Sequence, residues 1–370
     1  MPAPLKSVRV LSTGSYLPGE AITNAQIEAL AGPLPPDILA GIQVQTRHWI
    51  VDLSTGAHRE NNTDLAYKAA VQALQLAHVD PAEVELICLS TASPDTLLPP
   101  VVTMVQDRLG IKRCATIEVR SGCAGAVEAM DVARLYLERG QYKTAVVIGS
   151  ETISPLLVPV FRGKGPDSIR MRDRLALYNF GDGAGAMVLR ASDDDPENKG
   201  GILGSAIACV GGGRKPGMQI VGAGTHQPLH EQIAKGARFA ELKVDVVESG
   251  RFTPHVLTEA LVEMLKRSGV SADSIDLCVI PEGNAGYMTD ELKAAGLLTP
   301  EWVSLAPRIF ENLALVGATG SAAGPLALDH AWKTGRVKAG NRVMLLAIET
   351  SKWKYAGTVF TWTAAPVGRA

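Results

Sequence analysis

The 370-residue sequence offers little that would tie it to a metal, a disulfide framework, a membrane or a nucleic acid. Its five cysteines, Cys88, Cys114, Cys123, Cys209 and Cys278, lie far apart, and no Cys-x-x-Cys, His-x-x-His or His-Glu-x-x-His spacing occurs. A zinc site or a disulfide scaffold is therefore not expected. No apolar run is long enough to span a bilayer, and the opening stretch MPAPLKSVRVLSTGSYLPG lacks the apolar core of about 7–15 residues that marks a secretion signal. The net charge of −2 removes the electrostatic case for nucleic acid or an anionic membrane. These absences lead to the expectation of a cytoplasmic protein with no nucleic-acid or membrane partner.

What is present is an ordinary globular composition, 46% apolar and 20% charged, in a chain long enough for one large or two medium domains. Short β-branched or leucine-rich runs alternate with helical patterns: LICLSTA, TMVQDRL, ATIEV, the stretch after Cys123, then TAVVIGS. This alternation predicts parallel strands with crossover helices, an α/β layered fold. The runs are apolar at successive positions, as strands covered on both faces are.

The second half repeats the first. LQLAHVDPAEVELICLSTASP (74–94) has a partner in LKRSGVSADSIDLCVIPEGNA (265–285), with Glu85-Leu86 answered by Asp276-Leu277. SGCAGAVEAMDVARLYLERG and TAVVIGSET (121–152) have partners in GATGSAAGPLALDHAWKTG and RVMLLAIET (317–350). Two ordered matches predict two pseudo-equivalent halves, 1–195 and 196–370, joined by the charged stretch ASDDDPENKG at 191–200.

FGDGAGAMVLR (180–190) has the glycines of a dinucleotide loop but is followed by a strand pattern where that loop needs a helix. A tight turn packed against neighbouring backbone is the better reading. Cys88 and Cys278 sit inside apolar runs and read as inert core. Cys123 differs: in IEVRSGCAGAVEAM it follows a strand-like run, among small residues, where a helical pattern begins. That helix carries Glu128, Asp131, Arg134 and Glu138 on one narrow stripe and is otherwise apolar or small, so it is expected to be largely buried. A helix N-terminus presents unpaired N–H groups and positive dipole, which stabilise a thiolate and can hold a developing oxyanion. Most cysteines in buried helices are nonetheless inert, and position alone leaves both readings open.

AGIQVQTRHWIVD (40–52), the Cys123 turn, FGDGAGAMVL and GATGSAAGPLAL together resemble the β-ketoacyl-ACP synthase III branch of the thiolase superfamily, over essentially the whole chain. The resemblance implies a thiolase fold, two βαβαβαββ halves in a five-layered α-β-α-β-α arrangement, and a homodimer. It implies that Cys123 accepts an acyl group from CoA or an acyl carrier protein, with these thioesters as substrates and no permanently bound cofactor or metal. It extends to possible substrate or oxyanion contacts at Asn284, Ala318, Thr319 and Thr350.

The sequence departs from that family where the second half meets the chemistry. The family's His-Gln-Ala-Asn stretch becomes Pro281-Glu282-Gly283-Asn284, placing Glu282 at the His position, and its Gly-Asn-Thr turn becomes Gly317-Ala318-Thr319. The replaced His and Asn hold a thioester oxygen during decarboxylation; alanine supplies no donor and an ionised glutamate repels an enolate. The standard decarboxylative route is therefore in doubt, and Glu282 is read as a general base that deprotonates the nucleophile attacking the Cys123 thioester. No aromatic stands near Asp37 for the family's adenine-stacking tryptophan, and Glu349-Thr350-Ser351-Lys352-Trp353-Lys354-Tyr355 replaces a glycine-rich loop. Residues 155–178 are longer than the family pattern; a solvated surface loop is expected there, and its Arg162, Lys164, Arg170, Arg172 and Arg174 could meet an acidic carrier protein. Glu151 and Glu349 end equivalent strands, facing either the cleft or a dimer interface. His226, His230 and His255 are the histidines close enough in sequence to stand in for the missing one. The expected activity is acyl transfer with Claisen-type carbon–carbon bond formation in polyketide- or fatty-acid-like secondary metabolism. Transfer to a hydroxyl or amine and a catalytically degenerate partner subunit are the alternatives.

Overall fold

The structure is a computed structural model that describes residues 5–193, 200–222, 224–236, 238, 240–281 and 283–366. Most of the predicted linker, 194–199, and the predicted base Glu282 lie outside the described residues.

Two five-stranded sheets form the frame. The first holds β1 (Ser7–Tyr16), β4 (Leu86–Ser90), β5 (Ala115–Val119), β6 (Thr144–Glu151) and β7 (Gly183–Ser192) in the order β1-β7-β6-β4-β5. The second holds β8 (Ile202–Cys209), β11 (Leu277–Val279), β12 (Ile309–Phe310), β13 (Arg342–Glu349) and β14 (Lys354–Thr361) in the order β12-β11-β13-β14-β8. Taken from its other edge, the second order repeats the first strand for strand, so the duplication seen in the sequence is a duplication of topology. In each sheet three neighbouring strands, β5-β4-β6 and β12-β11-β13, run parallel, and the remaining two, β7 and β1 or β14 and β8, pair antiparallel. Two short antiparallel two-stranded sheets, β2 (Ile22–Thr23) with β3 (Thr46–Arg47) and β9 (Met218–Val221) with β10 (Glu241–Val244), lie outside the frame.

The continuous apolar runs divide by the two-residue strand period. In β6, Ala145 and Val147 enter the core between the sheets, while Val146 and Ile148 join the outer core under α3 (Asn62–Ala77) and α4 (Val101–Arg108). In β13, Val343, Leu345 and Ala347 face the shared core, while Met344, Leu346 and Ile348 pack under α9 (Val246–Ser268). Each run therefore serves two cores, and alternation with polar residues would leave one unfilled.

Between the sheets lie α5 (Gly125–Glu138) and α13 (Ala323–Lys333), giving the five layers α-β-α-β-α. Small residues let the sheets approach them: Ala124, Gly125, Ala126, Ala129 and Ala133 on one, Ala322, Ala323, Gly324, Ala327 and Ala331 on the other, all buried. Gly125 shows how close the approach is: a Cβ there would lie 1.9 Å from Ser90 Oγ, far inside contact distance. The polar stripe on α5 is only partly solvated. Asp131, Arg134 and Glu138 form ion pairs at 2.7 and 2.6 Å on its outer side, but Glu128 is buried and pairs with Lys354 of β14 at 2.5 Å.

The expectation of a solvated loop over 155–178 is corrected. The segment folds into α6 (Ser154–Phe161), a 3₁₀ turn at Pro166–Ser168 and α7 (Met171–Asn179). Leu157, Val160, Phe161, Ile169, Leu177 and Tyr178 are buried in a core shared with Trp49 and α1 (Asn24–Ala31). Burial of each such side chain contributes about 1.5–3 kcal/mol, enough to order a segment whose prolines and glycines read as loop. Beyond it lie α2 (Pro36–Ile42), α8 (Leu229–Ala234), α10 (Ala285–Ala294), α11 (Pro300–Leu305) and α12 (Leu313–Val316).

Candidate active site

Cys123 stands two residues before the first residue of α5, partly exposed, in the turn that leaves β5. Its setting contrasts with Cys88 and Cys278, which are fully buried in the sheets; burial alone pushes the Cys88 thiol up to about 12 and raises that of Cys278 as well. Those two are inert core, as their apolar surroundings indicated.

The turn before α5 is held by the opposite half of the molecule. Ser321, in the equivalent turn before α13, donates from Oγ to the carbonyls of Ser121 at 2.8 Å and Gly122 at 3.0 Å. Glu349, the last residue of β13, accepts from Ser121 Oγ at 2.5 Å and from the Gly122 N–H at 2.8 Å. The relation is mutual: Glu151, the last residue of β6, accepts from the Ser321 N–H at 3.2 Å, and a Cβ on Gly320 would lie 2.6 Å from its Oε2. Each half thus ends its central strand in a buried glutamate that grips the other half's helix-leading turn.

The two glutamates differ in their remaining partners. Glu151 also accepts from Thr91 Oγ1 at 3.1 Å, the Ala92 N–H at 2.9 Å and Ser93 Oγ at 2.5 Å. Its burial raises its pKa, with those bonds pulling the other way. Glu349 receives Ser351 Oγ as well, and Lys354 Nζ donates to Ser121 Oγ at 3.2 Å while pairing with Glu128. The site of Cys123 therefore contains a chain of polar side chains, Glu128–Lys354–Ser121–Glu349–Ser351, which sequence reasoning did not assemble. Its only sequence signal is that Glu349 and Glu151 close equivalent strands; both face inward, at the junction of the two turns.

The other predicted contacts separate. Ala318 is buried and its backbone bridges the first half, its N–H donating to Asn179 O at 2.8 Å and its carbonyl accepting from the Gly181 N–H at 2.9 Å. Thr319, beside it, is fully buried with an Oγ1 that meets no partner. The Thr350 carbonyl accepts from the Gly217 N–H at 3.0 Å. Asn284 caps α10, accepting from the Tyr287 N–H at 2.7 Å, and donates to Glu311 at 3.2 Å and to Gln43. It lines a cavity of about 610 Å³ whose wall includes Asn24, Gln43, Gln45, Gly283, Glu311 and Asn312 but not Cys123. His226, His230 and His255 are exposed, and His255 stacks on Phe252 at 5.8 Å, so none is built into this site. Of the basic residues in 155–178, Arg170 and Arg172 are engaged by Glu241 at 2.9 and 2.6 Å.

The glycine-rich FGDGAGAMVLR stretch forms a close backbone crossing followed by β7: a Cβ on Gly181 would lie 2.3 Å from Val316 O. Asp182 within it is fully buried and accepts from the N–H groups of Ile50 (2.8 Å), Ile153 (2.7 Å) and Ser154 (2.9 Å) and from Ser154 Oγ (2.5 Å). It is a structural tie rather than a phosphate loop. Among the described residues no group of three His, Cys, Asp or Glu side chains is placed to hold a metal, and no helix is long and apolar enough to cross a membrane.

Comparison with known proteins follows the same lines. The family model for 3-oxoacyl-[acyl-carrier-protein] synthase III matches residues 117–211, and the model for the C-terminal part of that family matches 265–362. A β-ketoacyl-[acyl-carrier-protein] synthase III from Clostridium acetobutylicum is 27% identical over 359 residues, covering 97% of this chain and all of its own. The solved tetronic acid condensing enzyme AbyA1 is 30% identical with a TM-score of 0.77, covering 96% of this chain and 100% of that one. A 3-oxoacyl-(acyl carrier protein) synthase III from Pseudomonas aeruginosa is 23% identical and superposes with a TM-score of 0.78 over 98% of this chain and 100% of that one.

Proposed function

The chain belongs to the 3-oxoacyl-[acyl-carrier-protein] synthase III family of acyltransferase-type condensing enzymes, and from that premise we propose that it carries an acyl group on Cys123 and condenses it with a second thioester. The observation that carries the proposal is the placement of Cys123: partly exposed, before a helix enclosed by both sheets, in a turn gripped by Ser321 and Glu349. The other cysteines at the sheet centres are buried beyond use.

In the first step the Cys123 thiolate attacks the donor's carbonyl carbon. A bond forms between Sγ and that carbon, the donor's carbon–sulfur bond breaks, and CoA or the carrier's phosphopantetheine leaves as the thiolate, which takes a proton from water. The positive end of α5 stabilises the attacking thiolate. In the second step a carbon nucleophile attacks the acyl-Cys123 carbonyl, the new carbon–carbon bond replaces the thioester bond, and Sγ regains its electron pair. Glu282 takes the proton from the carbon acid that becomes this nucleophile.

The cavity lined by Gly283 and Asn284, the two residues that follow Glu282 in sequence, supports delivery of substrate to that segment. Its carboxamides, Asn24, Gln43, Gln45, Asn284 and Asn312, suit the two amide groups of a phosphopantetheine arm. The 30%-identical relative described as a tetronic acid condensing enzyme supports a specialised condensation over housekeeping chain initiation. The working form in this proposal is a homodimer.

The test is intact mass after incubation with acyl-CoA and with acyl carrier protein. A stable adduct on the wild type that is missing in Cys123→Ala is expected; absence of labelling from every donor would end the proposal. Carbon dioxide release from a malonyl donor at the turnover rate would show decarboxylation, and its absence would leave a preformed carbon acid as the nucleophile.

A further inference from the structure

Glu349, the last residue of β13, holds the turn that leads into Cys123. Its Oε2 receives two donors from the residues directly before Cys123, Ser121 Oγ at 2.5 Å and the Gly122 N–H at 2.8 Å, while its Oε1 receives Ser351 Oγ. A Cβ on Gly122 would meet the carboxyl carbon at 3.5 Å, so the carboxylate lies against the backbone of the turn itself. Glu349 is buried, and every contact made by its oxygens is one in which they accept, which is what an ionised carboxylate offers. The charged groups facing it from the surrounding elements are Lys354 of β14, through Ser121, and Glu128 of α5, which Lys354 neutralises at 2.5 Å. Glu151 of β6 is turned to the opposite loop.

We infer that Glu349 is a positioning residue for Cys123: it holds the Ser121–Gly122 turn in place and, by its charge, sets the pH at which the Cys123 thiol becomes a nucleophile. Lys354 pairs with Glu128, so among the described residues Glu349 brings an unpaired carboxylate against the turn that leads into Cys123. It opposes the positive end of α5, so the thiolate forms at higher pH than the helix alone would permit. The consequence is a nucleophile less prone to adventitious alkylation or oxidation between substrate encounters. The inference deepens the proposed acylation of Cys123, yet thiol reactivity can be measured whether or not any acyl donor is accepted.

The experiment is iodoacetamide labelling across pH 5–10, read by peptide mass at Cys123, for the wild type, Glu349→Gln and Ser121→Ala. Glu349→Gln is expected to move the labelling midpoint down by about one pH unit, the size of effect a single nearby charge exerts. Ser121→Ala, which removes one hydrogen bond and keeps the charge, is expected to leave the midpoint in place. An unmoved midpoint in Glu349→Gln overturns the inference, and so does an equal movement in Ser121→Ala, which would make loosening of the turn the cause. Should Glu349→Gln not fold, Lys354→Met serves instead: loss of the cation must move the midpoint upward, and no movement overturns the charge argument. Failure of every acyl donor with an intact pH shift would reject the acyl-carrier reading and leave the role of Glu349 standing.

Discussion

Gly149 offers a direct test of whether the two halves act as one site. It lies two residues before the end of β6, buried, and a Cβ built on it would sit 2.0 Å from Ser321 O, 2.7 Å from the carbonyl carbon behind it and 2.8 Å from Ala126 Cβ. Real Cβ contacts stay beyond 3.0 Å, so Gly149→Ala must drive the Ser321 backbone back by about 1 Å. The obstacle is backbone on one side and α5 on the other, and no flexible side-chain end is available to yield. Overpacking of this kind costs about 1–3 kcal/mol. Retreat of Ser321 also breaks the bonds at 2.8 and 3.0 Å that fix the Ser121 and Gly122 carbonyls, and so displaces the turn carrying Cys123. A misplacement near 1 Å in a reacting group costs about 10²-fold in rate. Calorimetry of Gly149→Ala should therefore show a melting temperature only a few degrees lower, while the rate of acyl loading on Cys123, followed by mass, falls about a hundredfold. Loading at the wild-type rate would refute the claim that the second half's turn positions the cysteine.

Other expectations follow from single residues. Glu282→Gln should keep the acyl adduct on Cys123 and lose turnover; unchanged turnover would remove the base from the mechanism. Arg47 is wholly buried, its burial pulling the guanidinium down to about 10, and it donates to Ile22 O at 3.0 Å, Asn24 Oδ1 at 2.5 Å and Tyr178 O at 2.6 Å. Lysine cannot reproduce that fork, so Arg47→Lys should destabilise by about 3 kcal/mol in urea unfolding, and an unchanged midpoint would contradict the geometry. Asp182 is pushed up to about 6 by burial, which outweighs four donated hydrogen bonds. Its folded form binds the proton more tightly than the unfolded chain, so its stabilising contribution is complete below about pH 3.8 and is lost as pH rises to about 6, a change of about 3 kcal/mol. Asp182→Asn cannot titrate: the stability advantage of wild type over this variant should shrink between pH 4 and 6 and stay constant above, and a pH-independent gap would rule this out.

The fold was legible where the signals are local and repeated. LICLS, TAVVIGSE and RVMLLAIE became buried strands because unbroken apolar runs fit a position between two cores. The place of Cys123 before a buried helix was legible because small residues at Ala124, Gly125, Ala126 and Ala129 announce a helix that something must approach closely. The segment 155–178 was misread because Pro155, Pro159, Gly163, Gly165 and Pro166 are loop signals, and its two helices, of 8 and 9 residues, are too short to show a clear period. They are held by a core against Trp49 and α1 that no local window contains.

The sequence by itself determined the alternation of strands and helices and the presence of one cysteine at the head of a small-residue helix, which depend on neighbours within a turn or two, and the duplication, which shows as the same local pattern met twice. Only the tertiary structure decided what surrounds that cysteine. Glu349 and Ser321 reach the turn before it from positions about two hundred residues away, and Glu151 returns the grip on the opposite turn. The equivalence of the two glutamates could be read from the repeat, but a repeat does not state which half its residues face. That followed from packing two sheets on one shared pair of helices, which sets each strand end beside the other half's turn.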